Sequence, residues 1–413
     1  MKVHPIGTKI FYNYIFKVTT TVEPFHCDLI IPEKSETPPE IREQILKLAK
    51  TVYFFENDDP KIITFVDIFK IENSEKGKIR TYFAYIQRGK ESINILLSKY
   101  FHPRALKWPI SFNNSLFLDL RSLTFSENEL FEIKAKIPER PPDVFPNLNF
   151  IKSLDFSQNA EISVLYQMFL STFPPIYMFQ FIYYLFQSYK IFVVSSKIDK
   201  LTDIVFAINS FFYPLQKNKF LINTIPLISC DTTIDVLNQL EGPCIMGIPL
   251  THLLTLGDFS PKSKHILFNI DIPYLILNTP PDEMKNNTVL RQKGNGVNNL
   301  LLKEHRETLN IFYQFREVFP TFHVQMKIAE FTIGFIKFFF DIKDDSSTGV
   351  LRALQTASKN PSYTSFFREG SLLSEFLRQL SNPSDSPELI KLYFPAESNT
   401  PQITVPQLIS DFK

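Results

Sequence analysis

The amino-acid sequence predicts a mixed α/β fold: an α/β module at the N-terminus, a central mostly parallel sheet with flanking helices, and a helical module at the C-terminus. Three observations predict it. Between 157 and 278, helical periodicity and short β-branched runs alternate, which is the grammar of a parallel sheet with helices on both faces. Before 135, strand-like runs surround one amphipathic helix, and after about 300 helical patterns dominate with short polar intervals. A chain of 413 residues also exceeds one ordinary core and is expected to divide into roughly two to four units.

In the first unit, 1–140, FHCDLII (25–31) reads as a strand and PEKSETPP as a loop. Pro39 and Glu40 open a helix, PEIREQILKLAKTVYFF, whose apolar side carries Ile41, Ile45, Leu46 and Leu48 or Ala49; NDDP (57–60) stops it. IITFVDIFKI and KIRTYFAYIQR form a hairpin across ENSEKG, where Gly77 suits a left-handed turn position. IPERPPDVFPN (137–147) holds four prolines, which impose an extended connector and mark a domain boundary.

The central unit, 155–278, begins with a helix body from Ala160 to Phe173, with Ile162, Leu165, Tyr166, Phe169 and Leu170 near one face. Pro174 and Pro175 separate it from PIYMFQFIYYLFQSYK, a helix apolar on all sides and therefore buried between layers. IFVVS (191–195) is β-branched without alternation and fits an interior strand covered on both faces. A helix from about Lys200 to Tyr213 follows, then a strand in FLINTIPLIS, a short helix in TTIDVLNQL, and a strand in CIMGIP. HILFNIDIPYLIL gives a strand pair, or one strand and its exit. PPDEMKNN and RQKGNGVNN read as a polar, glycine-bearing loop. The third unit, 298–413, carries helical patterns in LLLKEHRETLNIFYQFREVF, TFHVQMKIAEFTIGFIKFFFDI, LRALQTASK and SLLSEFLRQL. The chain after Asn382 is weakly specified.

Composition narrows function. Lys plus Arg is 44 and Asp plus Glu is 43, so there is no basic excess or stripe of the kind nucleic-acid binders show. Cys27, Cys230 and Cys244 are scattered with no CxxC pair, which argues for a reducing compartment and against a disulfide framework. Cys230, Cys244 and His265 could share a site, although small buried hydrophobes are the plainer reading of the thiols. MKVHPIGTKIFYNYIF lacks the apolar core and cleavage site of an export signal. The most membrane-like run, 176–186, is about half the length a bilayer requires and contains Gln180. Asn113 and Asn286 sit in glycosylation-type triplets that an intracellular chain does not use.

No recognisable catalytic constellation emerges. Ser195 and Ser196 lie at a strand-to-helix transition, where an α/β-hydrolase places its nucleophile, but no G-x-S-x-G surrounds them. A serine that caps or precedes the next helix explains them better. GNGVNN (294–299) lacks the phosphate-loop lysine and follows no strand. The seven histidines form no close pair. Asp58-Asp59 and Asp344-Asp345 read as solvated turn carboxylates before weak cation sites. The Phe-rich helices read as packing between domains before membrane anchors or ligand surfaces.

The order of central segments is the most specific feature. YYLFQSYKIFVVSSKIDKLTDIVFAINSFFYPL, then TIPLIS, TTIDVLNQLEGPCIMGIP and ILFNIDI, resembles the core of a DENN domain. Such a core has a buried helix, a strand ending in serines, a helix ending in Tyr-Pro, an Ile-Pro strand and an apolar strand before Gly-Ile. These features fall at 191–196, Tyr213-Pro214, Ile225-Pro226 and 245–248. The pattern before 135 looks like the family's upstream longin-like module. IAEFTIGFIKFFFDI with NPSYTSFFREGSLLSEFLRQL looks like its downstream helical module.

The resemblance implies guanine-nucleotide exchange on a Rab-type small GTPase, with no cofactor and no covalent chemistry on the exchange factor. The GTPase is expected across the longin-like and central modules, its switch regions held so that magnesium and nucleotide bind weakly. Its candidate contacts here are Ser196, Lys197 and Asp199 at the end of the central strand, with Arg80 and Tyr82 of the hairpin as second choice. Each residue taken singly also reads as an ordinary cap or solvated charge. Other roles known among relatives are a non-catalytic scaffold or adaptor in membrane trafficking and a GTPase-activating component with an exposed arginine, Arg80 or Arg88. The expected location is the cytoplasm, with recruitment to endomembranes through partners.

Overall fold

The structure, a computed structural model, describes residues 14–21, 23–31, 39–55, 63–73, 78–88, 92–98, 166, 168–212, 223–240, 243–260, 262–278, 288–314, 321–368, 371–385 and 387–397. The proline-rich connector at 137–147, the NDDP stop, the PPDEMKNN run and Gly77 of the hairpin turn lie outside them.

The first sheet contains β1 (Tyr14–Thr19), β2 (His26–Ile31), β3 (Ile63–Asn73), β4 (Lys78–Arg88) and β5 (Ser92–Ser98), with helix α1 (Pro39–Phe55) between β2 and β3. The strands are antiparallel in the order β2-β1-β5-β4-β3. Register lines up Phe16, Ile95 and Ile86 across β1, β5 and β4, and all three are buried. α1 contributes Ile41, Ile45, Leu48, Ala49 and Val52 to the same core, the helical repeat its apolar positions predict. β1 and β5 flank each other at the middle of the sheet, although neither stood out in the sequence.

The second sheet is built from β6 (Lys190–Ser195), β7 (Asn223–Ile225), β8 (Cys244–Pro249), β9 (His265–Asn269) and β10 (Tyr274–Asn278). Its order is β10-β9-β6-β8-β7; four strands are parallel, and β10 folds back antiparallel on β9. Alternate residues of β6 enter different cores: Ile191 and Val193 join the large one, Phe192 and Val194 a second on the other face. That two-sided burial is why the run shows no alternation. Of the expected FLINTIPLIS strand, 220–222 lie outside the described residues; β7 ends at Ile225 because Pro226 has no N–H to donate, and Ile228 rejoins by donating to the Gly247 carbonyl at 3.0 Å.

Helix α2 (Pro175–Phe186) buries Met178, Phe179, Phe181, Ile182, Leu185 and Phe186. Helix α3 (Ile198–Ser210) packs on β6 and β8 and also touches β3, so it joins the two sheets. Short helices α4 (Ile234–Gln239) and α5 (Leu250–Leu256) supply Leu237 and Leu256 to the second core.

Beyond 288 the described elements are α6 (Thr288–Gln314), α7 (Thr321–Phe340), α8 (Ser347–Ser358), α9 (Leu372–Ser381), α10 (Pro387–Tyr393) and 3-10 turns. Phe179 meets Phe331 at 4.8 Å and Tyr183 meets Phe335 at 5.3 Å, so the Phe-rich helices α2 and α7 pack against one another. RQKGNGVNN is not the expected loop but part of α6. Gly296 is used as space: a Cβ there would lie 2.1 Å from the Phe338 ring, and Val297 and Leu301 are buried beside it. Packing of that kind outweighs the helix cost of glycine, about 1 kcal/mol. Among the described residues no helix is long and apolar enough to cross a membrane.

Candidate functional site

In an open parallel sheet the loops after the strands collect along the carboxyl edge, where ligands and partners reach the backbone. Ser195 ends β6 at that edge and is almost wholly buried, with 1% of its surface exposed. Its Oγ donates to Asp271 Oδ1 at 2.7 Å and accepts the Lys197 N–H at 3.0 Å. The Ser196 N–H donates to the second Asp271 oxygen, also at 2.7 Å. Asn269 Oδ1 in turn accepts the N–H groups of Asp271 and Ile272 at 2.9 and 3.2 Å. The β6–α3 and β9–β10 turns are thereby tied into one unit. Burial pushes the Asp271 carboxyl upward, but the bonds from Ser195 and Ser196 and the charge of Lys197 outweigh it and hold the group below its ordinary value. Asp271 is therefore an anion at neutral pH.

Ser196, Lys197 and Asp199 stand exposed on this edge. The helix N-cap is Lys197, extended and without a side-chain cap, so the two serines precede the helix rather than cap it, and Ser195 Oγ takes up the Lys197 N–H. Arg80 and Tyr82 lie on β4, opposite Ile71 and Phe69 of β3, in the other sheet. The structure does not place them in the Ser196 turn; the link between the two groups is α3, which starts at Ile198 and touches β3.

The edge continues to α1. In the loop after β7, Cys230 N–H donates to Thr51 Oγ1 at 3.4 Å, and Lys47 pairs with Asp231 at 3.2 Å. The ion pair is more than half exposed on both sides and contributes less than about 1 kcal/mol. Cys230 also packs against the hydrophobic core that the apolar face of α1 enters.

Ser195 bonds to a carboxylate, while His252 Nε2 meets the Thr232 carbonyl at 3.0 Å and His265 Nδ1 meets Ser263 at 3.1 Å. Lys190, Cys244 and His265 are register neighbours at the opposite, amino edge. Cys230 follows β7 at the carboxyl edge, so the three-way site considered for Cys230, Cys244 and His265 does not form. Lys190 Nζ donates to the Leu237 and Asn238 carbonyls at 3.2 and 3.0 Å. Burial pushes the Cys244 thiol up to about 12 and His265 down to about 4, leaving both neutral. Among the described residues no group of three or more His, Cys, Asp or Glu could hold a metal ion. Asp344 accepts the Ser346 N–H at 2.9 Å and Asp345 pairs with Lys337, so this pair serves local structure. Asp58-Asp59 lies outside the described residues.

Arg88 is 8% exposed and sits over the Tyr53 ring at 5.5 Å, which removes it as an exposed arginine finger. Asp271 was the residue sequence reasoning missed. Its signal was the NIDIP run, since an Asn two residues before another turn former and a following Pro mark an Asx turn. Searches against known protein families and curated proteins find no match to this chain.

Proposed function

We propose that this chain is a DENN-type exchange factor: it binds a Rab-type small GTPase, favours the nucleotide-free form and promotes GDP release. The carrying observation is the carboxyl edge of the parallel sheet, an ordered and exposed surface that α1 of the first sheet adjoins at Cys230 and Asp231. A partner resting there would touch both units. The strand pair, helix and hairpin before residue 98 support the longin-like reading, and the helices after 288 support the downstream module. In this reading Ser196, Lys197 and Asp199 are the central contacts, and Arg80 and Tyr82 belong to a second contact on the hairpin. No cofactor is required, because exchange works by linkage: preference for the nucleotide-free GTPase lowers nucleotide affinity by the same coupling free energy. The protein then acts in the cytoplasm and reaches endomembranes through its partner.

The test is release of labelled GDP from a full panel of Rab-type GTPases of the source organism, with the protein sub-stoichiometric. Acceleration for at least one GTPase is expected. Binding with no change in release would replace the reading with a scaffold or adaptor, and faster GTP hydrolysis would replace it with an activator.

A further inference from the structure

We propose that Asp271 is the positioning residue of the partner-facing edge, holding the Ser196–Lys197 turn in its binding conformation and setting Ile272 beside it as the apolar contact. This rests on the reading that the edge binds a GTPase. β9 is already closed on β6 without Asp271, since Ile270 N–H donates to the Val194 carbonyl at 2.9 Å. The carboxylate instead reaches past the strand end, with one oxygen on the Ser195 hydroxyl and the other on the Ser196 N–H. Charge-assisted bonds of this length are the strong class, and two from one group fix direction as well as distance. What they fix is exposed: Ser196 and Lys197 face solvent.

Ile272 is 70% exposed, and single exposed aliphatic residues are ordinary. This one differs in being held rather than loose, because its N–H is bonded to Asn269 and the residue before it is the anchored Asp271. A preordered turn presenting one aliphatic side chain next to one cation loses little entropy when a partner covers it. The occupant is the GTPase of that reading, with an apolar patch over Ile272 and polar groups of both signs facing Lys197 and Asp199.

The experiment measures GDP release from the responding GTPase for Asp271→Ala, Ser195→Ala, their double variant, Asp271→Asn and Ile272→Asp, with thermal melting and amide hydrogen exchange of 195–199. Asp271→Ala and Ser195→Ala should each slow exchange by about tenfold, and the double variant no further than the stronger single one, since they remove one shared network. Asp271→Asn keeps the shape and an acceptor for Ser196 and should recover most of the rate. Ile272→Asp should lose exchange with melting unchanged. Amides 196 and 197 should exchange faster in Asp271→Ala. Should that variant not fold, Asp271→Asn and Ile272→Asp decide. A wild-type protein that accelerates release while Ile272→Asp and both Asp271 variants match it overturns the inference alone; so does activity lost in Asp271→Ala with amide protection at 195–199 unchanged. A wild-type protein inert toward every GTPase overturns the exchange reading and this inference with it.

Discussion

His265 opens β9 with its ring 4.4 Å from Phe259 and 5.6 Å from Phe192, bonded to Ser263. Burial disfavours its cation, and the nearby Lys190 adds to the effect, so its titration falls from 6.5 to about 4 in the folded chain. The unfolded chain takes up the proton first as pH drops, so this contribution is complete above 6.5 and is lost as pH falls toward 4. The loss amounts to at most about 3 kcal/mol. Chemical denaturation of wild type and His265→Gln across that window should show the steeper decline in wild type; parallel declines would refute the assignment. Residues of this kind are hard to read in a sequence. His265, Lys190 and Cys244 are far apart in the chain and meet only because β6, β8 and β9 start at one level. Lys190 ends the run read as a buried helix but opens β6, and its partners are carbonyls at the end of α4 that no motif announces. Asp271 was closer to legible, since its turn chemistry is local, but its tie to Ser195 depends on β9 pairing with β6.

β8 passes the loop after β7 so closely that Gly247 has room for no side chain: a Cβ would stand 1.9 Å from the Pro226 carbonyl oxygen and 2.9 Å from Leu201. Backbone on one side and a helix residue on the other leave nowhere to yield. Gly247→Ala should cost about 2–4 kcal/mol in urea unfolding, while Gly334→Ala inside α7, where the nearest atom a Cβ would meet is Leu300 Cδ2 at 3.9 Å, should cost nothing. Equal effects would contradict this packing. The contrast shows which elements the sequence could specify. Strands β6 and β8 were legible as apolar runs because both of their faces are buried. The N-terminal turns of α6 were not, because Gly294, Gly296 and three asparagines between 295 and 299 are loop formers by local chemistry. What makes them helical is tertiary: α6 lies against α2 and α7, and Gly296 accepts the Phe338 ring. β5 went unread for a related reason, since SINILLS carries only a short apolar pattern and gains its identity by pairing with both β1 and β4.

At the scale of the molecule, one hydrophobic core contains residues of α1, α2, α3 and α7, so the first sheet, the central sheet and the later helices share buried surface. α3 links the sheets with its flank, and its first turn carries Asp199 at the exposed edge. That arrangement joins the units through one continuous core, which suits the proposed role of holding another protein in an unfavourable state. The order of central elements was readable from the chain; the surface they present was not, because it is assembled from turns 75 residues apart in sequence, as in the Ser196–Asp271 bond. The most direct measurement of the proposed function is the affinity of the protein for a Rab-type GTPase that responds in the release assay, in nucleotide-free and GDP-loaded forms, alongside that GTPase's own affinity for GDP with and without the protein. Tighter binding of the nucleotide-free form is predicted, by the same factor with which the protein weakens GDP binding; equal affinity for the two forms would contradict the account.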